Sequence, residues 1–270
     1  MRLTVTYAFV LVVCCTLSGA DLSGKTENAL LAAYSDFRYA EAKRLAAKSD
    51  RPEFQLIGAM CNVFDRRAQN LQRGIPELER LSKSPDLPER YRCTAKLAYA
   101  RAMHTLAMRK NMYKDADNVD PVPLYDEVIR SYPENIDCIY AVIYRTQYLL
   151  SKDRAKEALD FVERFIQSYG GKNKRLLCPL HLMLTNEYIR NGERYDIAVR
   201  HAEKARELVP ANPKTQYILH FKIARFYDVY LKNRERAEQE YISYLKKHPD
   251  NSEAVLVRRY LKELRMRKAK

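Results

Sequence analysis

Apolar and small residues recur at helical spacing along residues 121–264, and the recurrence itself repeats. Tyr148, Tyr188 and Tyr227 stand 40 and 39 residues apart, and ten residues after each comes Ala158, Ala198 or Ala237. Four positions further on lie Val162, Ala202 and Tyr241, and three beyond those lie Phe165, Ala205 and Tyr244. The second and third units close with Pro210/Asn212 and Pro249/Asn251, and an earlier segment ends alike, with Tyr125, Val128, Pro133 and Asn135. Residues three, four and seven apart share one face of a helix. The pattern therefore predicts helix hairpins in which the alanine allows close approach, the larger residues fill the next layer, and proline ends the second helix. A hairpin of this kind leaves an apolar stripe uncovered, so its neighbours must stack against it.

The rest of the chain extends the helical reading. Thr26–Ser49 forms a first hairpin, stopped by Asp50-Arg51-Pro52, and Phe54–Phe64 with Gln69–Leu81 forms a second, disturbed by Gly74 and Pro76. Ser84-Pro85-Asp86-Leu87-Pro88 reads as a linker, residues 84–88, between irregular hairpins at 21–83 and a repeat array at 89–249. Glu89–Lys110 is a long helix, followed by the polar insertion Asn111–Val122 with Asp115, Asp117 and Asp120. That run lacks the Gly and the Glu that a calcium loop places at fixed positions, and reads as a solvated loop. Hairpins at Ile136–Tyr169, Lys174–Leu208 and Pro213–Lys247 lead to a last helix within 250–270 that caps the stack.

The run Leu184…Tyr188…Gly192…Ala198…Ala202…Ala205…Pro210 resembles the tetratricopeptide (TPR) repeat family, with departures: units of 39–40 residues rather than 34, and no Trp. Ala237–Leu261 is more similar to the longer repeats of bacterial envelope proteins, including the helical lipoprotein of outer-membrane barrel assembly. The resemblance implies an all-α, right-handed α-solenoid of antiparallel hairpins. It also implies that the groove is lined by first-helix residues next to the packing tyrosine. Carried over by position, these are Thr146, Leu149, Asn186, Ile189, Arg190, Arg225 and Asp228. An amide such as Asn186 can bond a peptide backbone, and a guanidinium such as Arg190 a carboxylate.

Composition adds a compartment and a charge. Arg2, the apolar run Tyr7–Leu17 and the small residues Ser18-Gly19-Ala20 form a secretory leader over residues 1–20, cut before Asp21. Eleven apolar residues fall short of the roughly 20 that span a bilayer, so the expected mature chain has no transmembrane helix and is periplasmic or secreted. A retained anchor and a lipid tether at Cys14 or Cys15 are the other readings of this end, although for the tether Val13 stands where a lipobox wants a small residue. Only 7 Gly in 270 residues suits helices rather than strands. The net charge of +14, or +13 once Arg2 is removed, favours anionic partners. Export sets nucleic acid aside. Cys61, Cys93, Cys138 and Cys178 remain, either as two disulfides or as small buried hydrophobes, and none has CxxC spacing.

Chemistry is sparse. His104, His181, His201, His220 and His248 are scattered, with no i+3 or i+4 pair, no HExxH, no phosphate-cradling loop and no nucleophile elbow. No catalytic, cofactor or metal residue is therefore assigned. The leading function is an exported, non-catalytic scaffold that holds a peptide or partner protein in its groove. An alternative rests on the last helix, where Arg258, Arg259, Lys262, Arg265, Arg267, Lys268 and Lys270 face one acid, Glu263. There an anionic lipid or acidic protein could dock. A helical-array enzyme or accessory domain is the third.

Overall fold

The computed structural model describes residues 25–65, 68–109, 119–192, 194–209 and 213–268, and the expected leader, Asp115, Asp117, Pro210 and Asn212 lie outside them. Every regular element among the described residues is helical, in keeping with the all-α expectation. The chain divides into two compact units, Met1–Ala158 and Leu159–Lys270.

The first unit is built from α1 (Lys25–Ser35), α2 (Tyr39–Ala46), α3 (Pro52–Phe64), α4 (Ala68–Lys83), α5 (Glu89–Met108), α6 (Val122–Ser131) and α7 (Ile136–Ser151). Each helix packs on the next, and α5 also touches α3 and α7, as stacked hairpins require. Tyr34, Tyr91, Tyr125 and Tyr144 are fully buried in one apolar cluster that includes Cys61 and Cys93. Two expectations change here. Leu87 is buried in that same cluster, so residues 84–88 form a tight turn within one core rather than a boundary. Helix α4 runs unbroken through Pro76. Gly74 marks closest approach to α3, because a Cβ there would lie 2.7 Å from Val63 Cγ2 and 3.0 Å from the Ala59 carbonyl oxygen.

The division falls within α8 (Ala155–Ser168), and the second unit continues through a 3-10 turn (Lys174–Leu177), α9 (Cys178–Asn191), α10 (Tyr195–Leu208), α11 (Pro213–Arg225), a π-helical turn (Phe226–Tyr230), α12 (Arg234–Lys247) and α13 (Ala254–Lys268). Ala198, Ala202, Ala205 and Ala237 are buried, Tyr188 nearly so, and Tyr227 partly. Tyr148 and Ala158, in the first unit, are buried as well. The hairpin turns reverse through a left-handed residue: Asp153 (φ 57°), Gly192 (φ 76°) and Lys232 (φ 53°). Caps follow the local sequence, with Asn135, Asn233 and Asn251 side chains accepting from backbone N–H groups two or three residues on. Helix α13 packs on α12 and closes the last apolar layer with Val257, Leu261 and Leu264. Among the described residues no helix is long and apolar enough to cross a membrane.

Candidate functional site

The repeat register of the second unit places polar side chains, not only apolar ones, at fixed positions. Seven residues before the packing tyrosines stand Ala141, His181 and His220, and thirteen after them stand Phe161, His201 and Glu240. Ala141 and Phe161 are apolar; the other two sets are polar and face each other within their hairpins. His181 Nδ1 lies 2.9 Å from His201 Nδ1, and His220 Nδ1 lies 3.6 Å from Glu240 Oε2. A second set of bonds ties successive hairpins together. The Tyr188 hydroxyl donates to Glu163, and the Tyr227 hydroxyl donates to Glu203 at 3.0 Å. Glu163 and Glu203 each stand fifteen residues after a packing tyrosine, where the last hairpin has the exposed Ile242. These polar layers were legible as offsets but invisible to a search for i+3 or i+4 histidine pairs.

The two layers differ electrostatically. Around Glu240, Arg206 donates at 2.6 Å and Arg236 stands 3.6 Å away. Burial raises the Glu240 carboxyl, but His220, Arg206 and Arg236 outweigh it and hold it at about 2. Lys247 Nζ approaches His220 Nε2 at 3.3 Å, and Arg206, Glu207, His220, Glu240, Ser243 and Lys247 enclose an open concavity of about 300 Å³. Around the histidine pair, His201 Nε2 is 3.8 Å from Glu163 and its ring stacks on Tyr188 at 6.0 Å. Burial pushes His181 down to about 4, helped by His201 and Lys204, and burial lowers His201 against the pull of Glu163. Among the described residues no group of three or more His, Cys, Asp or Glu is placed to hold a metal ion. All four described cysteines are buried free thiols, and burial pushes Cys61 and Cys138 up to about 12 and Cys178 to about 11.

The candidate groove residues separate into two groups. Asn186 and Arg190 are exposed on α9, with Arg190 bonded to the buried Glu187 at 2.8 Å, and Ile189 is half-buried. Arg225 is half-exposed and lies 4.3 Å from the Tyr260 ring centre. Three others are corrected. Thr146 and Leu149 are fully buried, Thr146 donating to the Val142 carbonyl, because they face the interior of α7's own unit. Asp228 is buried in the π-helical turn, accepting both Arg267 Nη2 contacts, at 2.9 and 3.1 Å, and the Tyr241 hydroxyl at 3.3 Å. Widening the last turn of the α11 segment turns Asp228 inward, away from solvent.

The basic residues of α13 are likewise divided. Arg267 holds Asp228, Arg265 bonds Glu238 at 2.8 Å and Arg258 donates to the Pro249 carbonyl at 3.0 Å, so these three latch the helix to its own unit. Arg259 stands 3.8 Å from Glu263 and 5.6 Å from the Tyr260 ring centre, and Lys262 is exposed. Arg258, Leu261, Lys262, Arg265 and Met266 border a shallow concavity of about 430 Å³ on this helix.

Fold and site together define a class: an all-α, TPR-like protein of stacked helix hairpins, with polar layers in register and a basic last helix. In comparisons with known proteins, the backbone is similar to a chain of the human IFIT1 dimer with m7Gppp-AAAA. The identity is 18%, the TM-score 0.38, and the match covers 90% of this chain and 55% of that one. The chain thus spans about half the length of that neighbour. No protein-family model matches, and no curated protein does.

Proposed function

We propose that the protein is a non-catalytic interaction scaffold whose second unit binds an acidic polypeptide segment outside the cytosol. One observation carries this reading: three acids of the unit are buried and paired with arginines, while two other arginines stand against a half-buried aromatic pair at its surface. Asp228, Glu240 and Glu187 are buried against arginines. Arg225 and Arg259 both lean on Tyr260, which stacks on Phe221 at 6.0 Å. A guanidinium held on an aromatic face still presents its N–H edge to carboxylates, and the nearest ones among the described residues are no closer than 3.7 Å to Arg225 (Asp228) and 3.8 Å to Arg259 (Glu263). A second reading, contact with anionic lipid, draws support from Val255 and Met266, which are 72% and 53% exposed beside the cations of α13.

One titration separates the two. A labelled Asp/Glu-rich peptide, its Lys-rich counterpart and vesicles with and without anionic lipid are each offered to the full chain and to an Arg225→Ala/Arg259→Ala variant. The scaffold reading expects acidic-peptide binding that the variant weakens about tenfold or more, as the loss of two charge-assisted bonds implies. Vesicle binding without peptide binding would support the lipid reading instead; equal affinity for both peptides would sink the scaffold reading, and equal binding to vesicles with and without anionic lipid would sink the lipid one.

A further inference from the structure

We infer that the α9–α10 hairpin is an acid-sensitive joint: its two facing histidines can share one proton but cannot hold two, so a second proton forces the helices apart. The geometry is restrictive. At 2.9 Å between the two Nδ1 atoms, one nitrogen carries the hydrogen and the other must present its lone pair. A first added proton has a place, because His201 can be an imidazolium that donates to His181 through Nδ1 while its Nε2 faces Glu163 at 3.8 Å. A second proton would leave two N–H groups pointing at each other in a half-buried site. His201 cannot rotate onto a substitute acceptor without breaking its stack on Tyr188.

The surroundings do not relieve the conflict. From α10, His181 faces His201, Lys204 and Glu207, and Glu207 is bonded to Lys204 at 2.6 Å. His201 faces Glu163 from α8, Tyr188 from α9 and Arg200 from its own helix. Among the described residues the acid that faces His201 is Glu163, and it already accepts the Tyr188 hydroxyl. The neighbouring hairpin offers a contrast. At the same repeat positions His220 Nδ1 lies 3.6 Å from Glu240 Oε2 and 3.2 Å from Arg206 Nη1, and Lys247 Nζ lies 3.3 Å from its Nε2, so its facing partner is a carboxylate flanked by cations rather than a second imidazole. Helix α9 also carries Asn186 and Arg190, so opening this joint would displace exposed residues of the proposed binding unit. The inference itself stands on the histidine geometry and not on that function.

The sign follows from proton linkage. Both histidines bind protons more weakly when the hairpin is closed, so closure is fully favoured above the ordinary histidine range and is lost as pH falls from about 6.5 toward 4. Amide hydrogen exchange of the full chain at pH 7.5 and pH 5.0, corrected for intrinsic rate, reads it directly. Residues 178–208 should gain on the order of tenfold in exchange at pH 5.0 relative to residues 218–247. His201→Gln and His181→Gln each remove one of the two competing protons and should abolish that increment. Ring-nitrogen NMR of the wild type at pH 7.5 should show one Nδ1–H and one bare Nδ1 in the pair. Equal acid loosening of both hairpins, an increment that survives in the folded Gln variants, or two bare Nδ1 atoms would each overturn the inference.

Discussion

A single residue decides whether a buried charge works for the fold or against it, and Asp137 is the clearest case. It is fully buried at the start of α7, where Thr94 Oγ1 donates to its Oδ2 at 2.8 Å. Burial raises its carboxyl to about 6, and the Thr94 and Cys93 side chains pull it only part of the way back. The folded carboxyl therefore holds a proton between roughly pH 4 and 6 that the unfolded chain releases. Its contribution grows as pH falls through that window and is lost as pH rises through 6. Asp137→Asn should consequently compare more favourably with the wild type at pH 7.5 than at pH 5.0, by about 1 kcal/mol. Urea unfolding of both proteins at the two pH values gives that difference of differences. A value independent of pH would mean that Asp137 is not held neutral by its surroundings.

At the scale of elements, the hairpins were legible because their signal is periodic. A packing tyrosine, an alanine ten residues on and a closing proline are local demands of helix geometry, and α7 to α13 follow them. What the sequence hid depended on contacts between elements. Gly74 and Pro76 look like breakers, yet the close approach of α3 is what makes glycine the residue of choice at 74. Residues 84–88 look like a linker, yet Leu87 is core. Thr146, Leu149 and Asp228 lay at groove positions by family register, but burial in α7 and the π-helical turn after α11 took them inside. Asp228 in turn makes α13 a latched element rather than a loose basic tail. Arg267→Ala would leave this buried carboxylate with Tyr241 and the more distant Arg225, at 3.7 Å. We expect it to cost about 1.5–3 kcal/mol, typical of a lost bond to a charged group. The loss should concentrate in amide protection of 254–267, while protection in α9 is unchanged. Uniform loss across the unit, or none, would contradict the latch.

At the scale of the whole molecule, charge acts in two opposing ways that salt can pull apart. The chain carries 48 Lys and Arg against 34 Asp and Glu, so most distant charge pairs repel. Many close ones attract, such as Arg206–Glu240 at 2.6 Å and Arg145–Asp126 at 2.8 Å. Raising ionic strength from 0.01 M to 0.15 M shortens the screening length from about 30 Å to about 8 Å. That change removes repulsion between cations spread over a helix array while leaving contacts near 3 Å almost untouched. Stability should therefore rise with salt over this range, with a higher melting temperature, because self-repulsion of a net charge of +14 opposes compaction. Affinity for an acidic peptide should fall over the same range, since its approach depends on the field that the salt screens. Thermal melts and peptide titrations in the same buffers test both signs. If stability and affinity fell together, the short ion pairs rather than the long-range excess would govern this fold, and the outward cations would lose their place as its distinguishing feature.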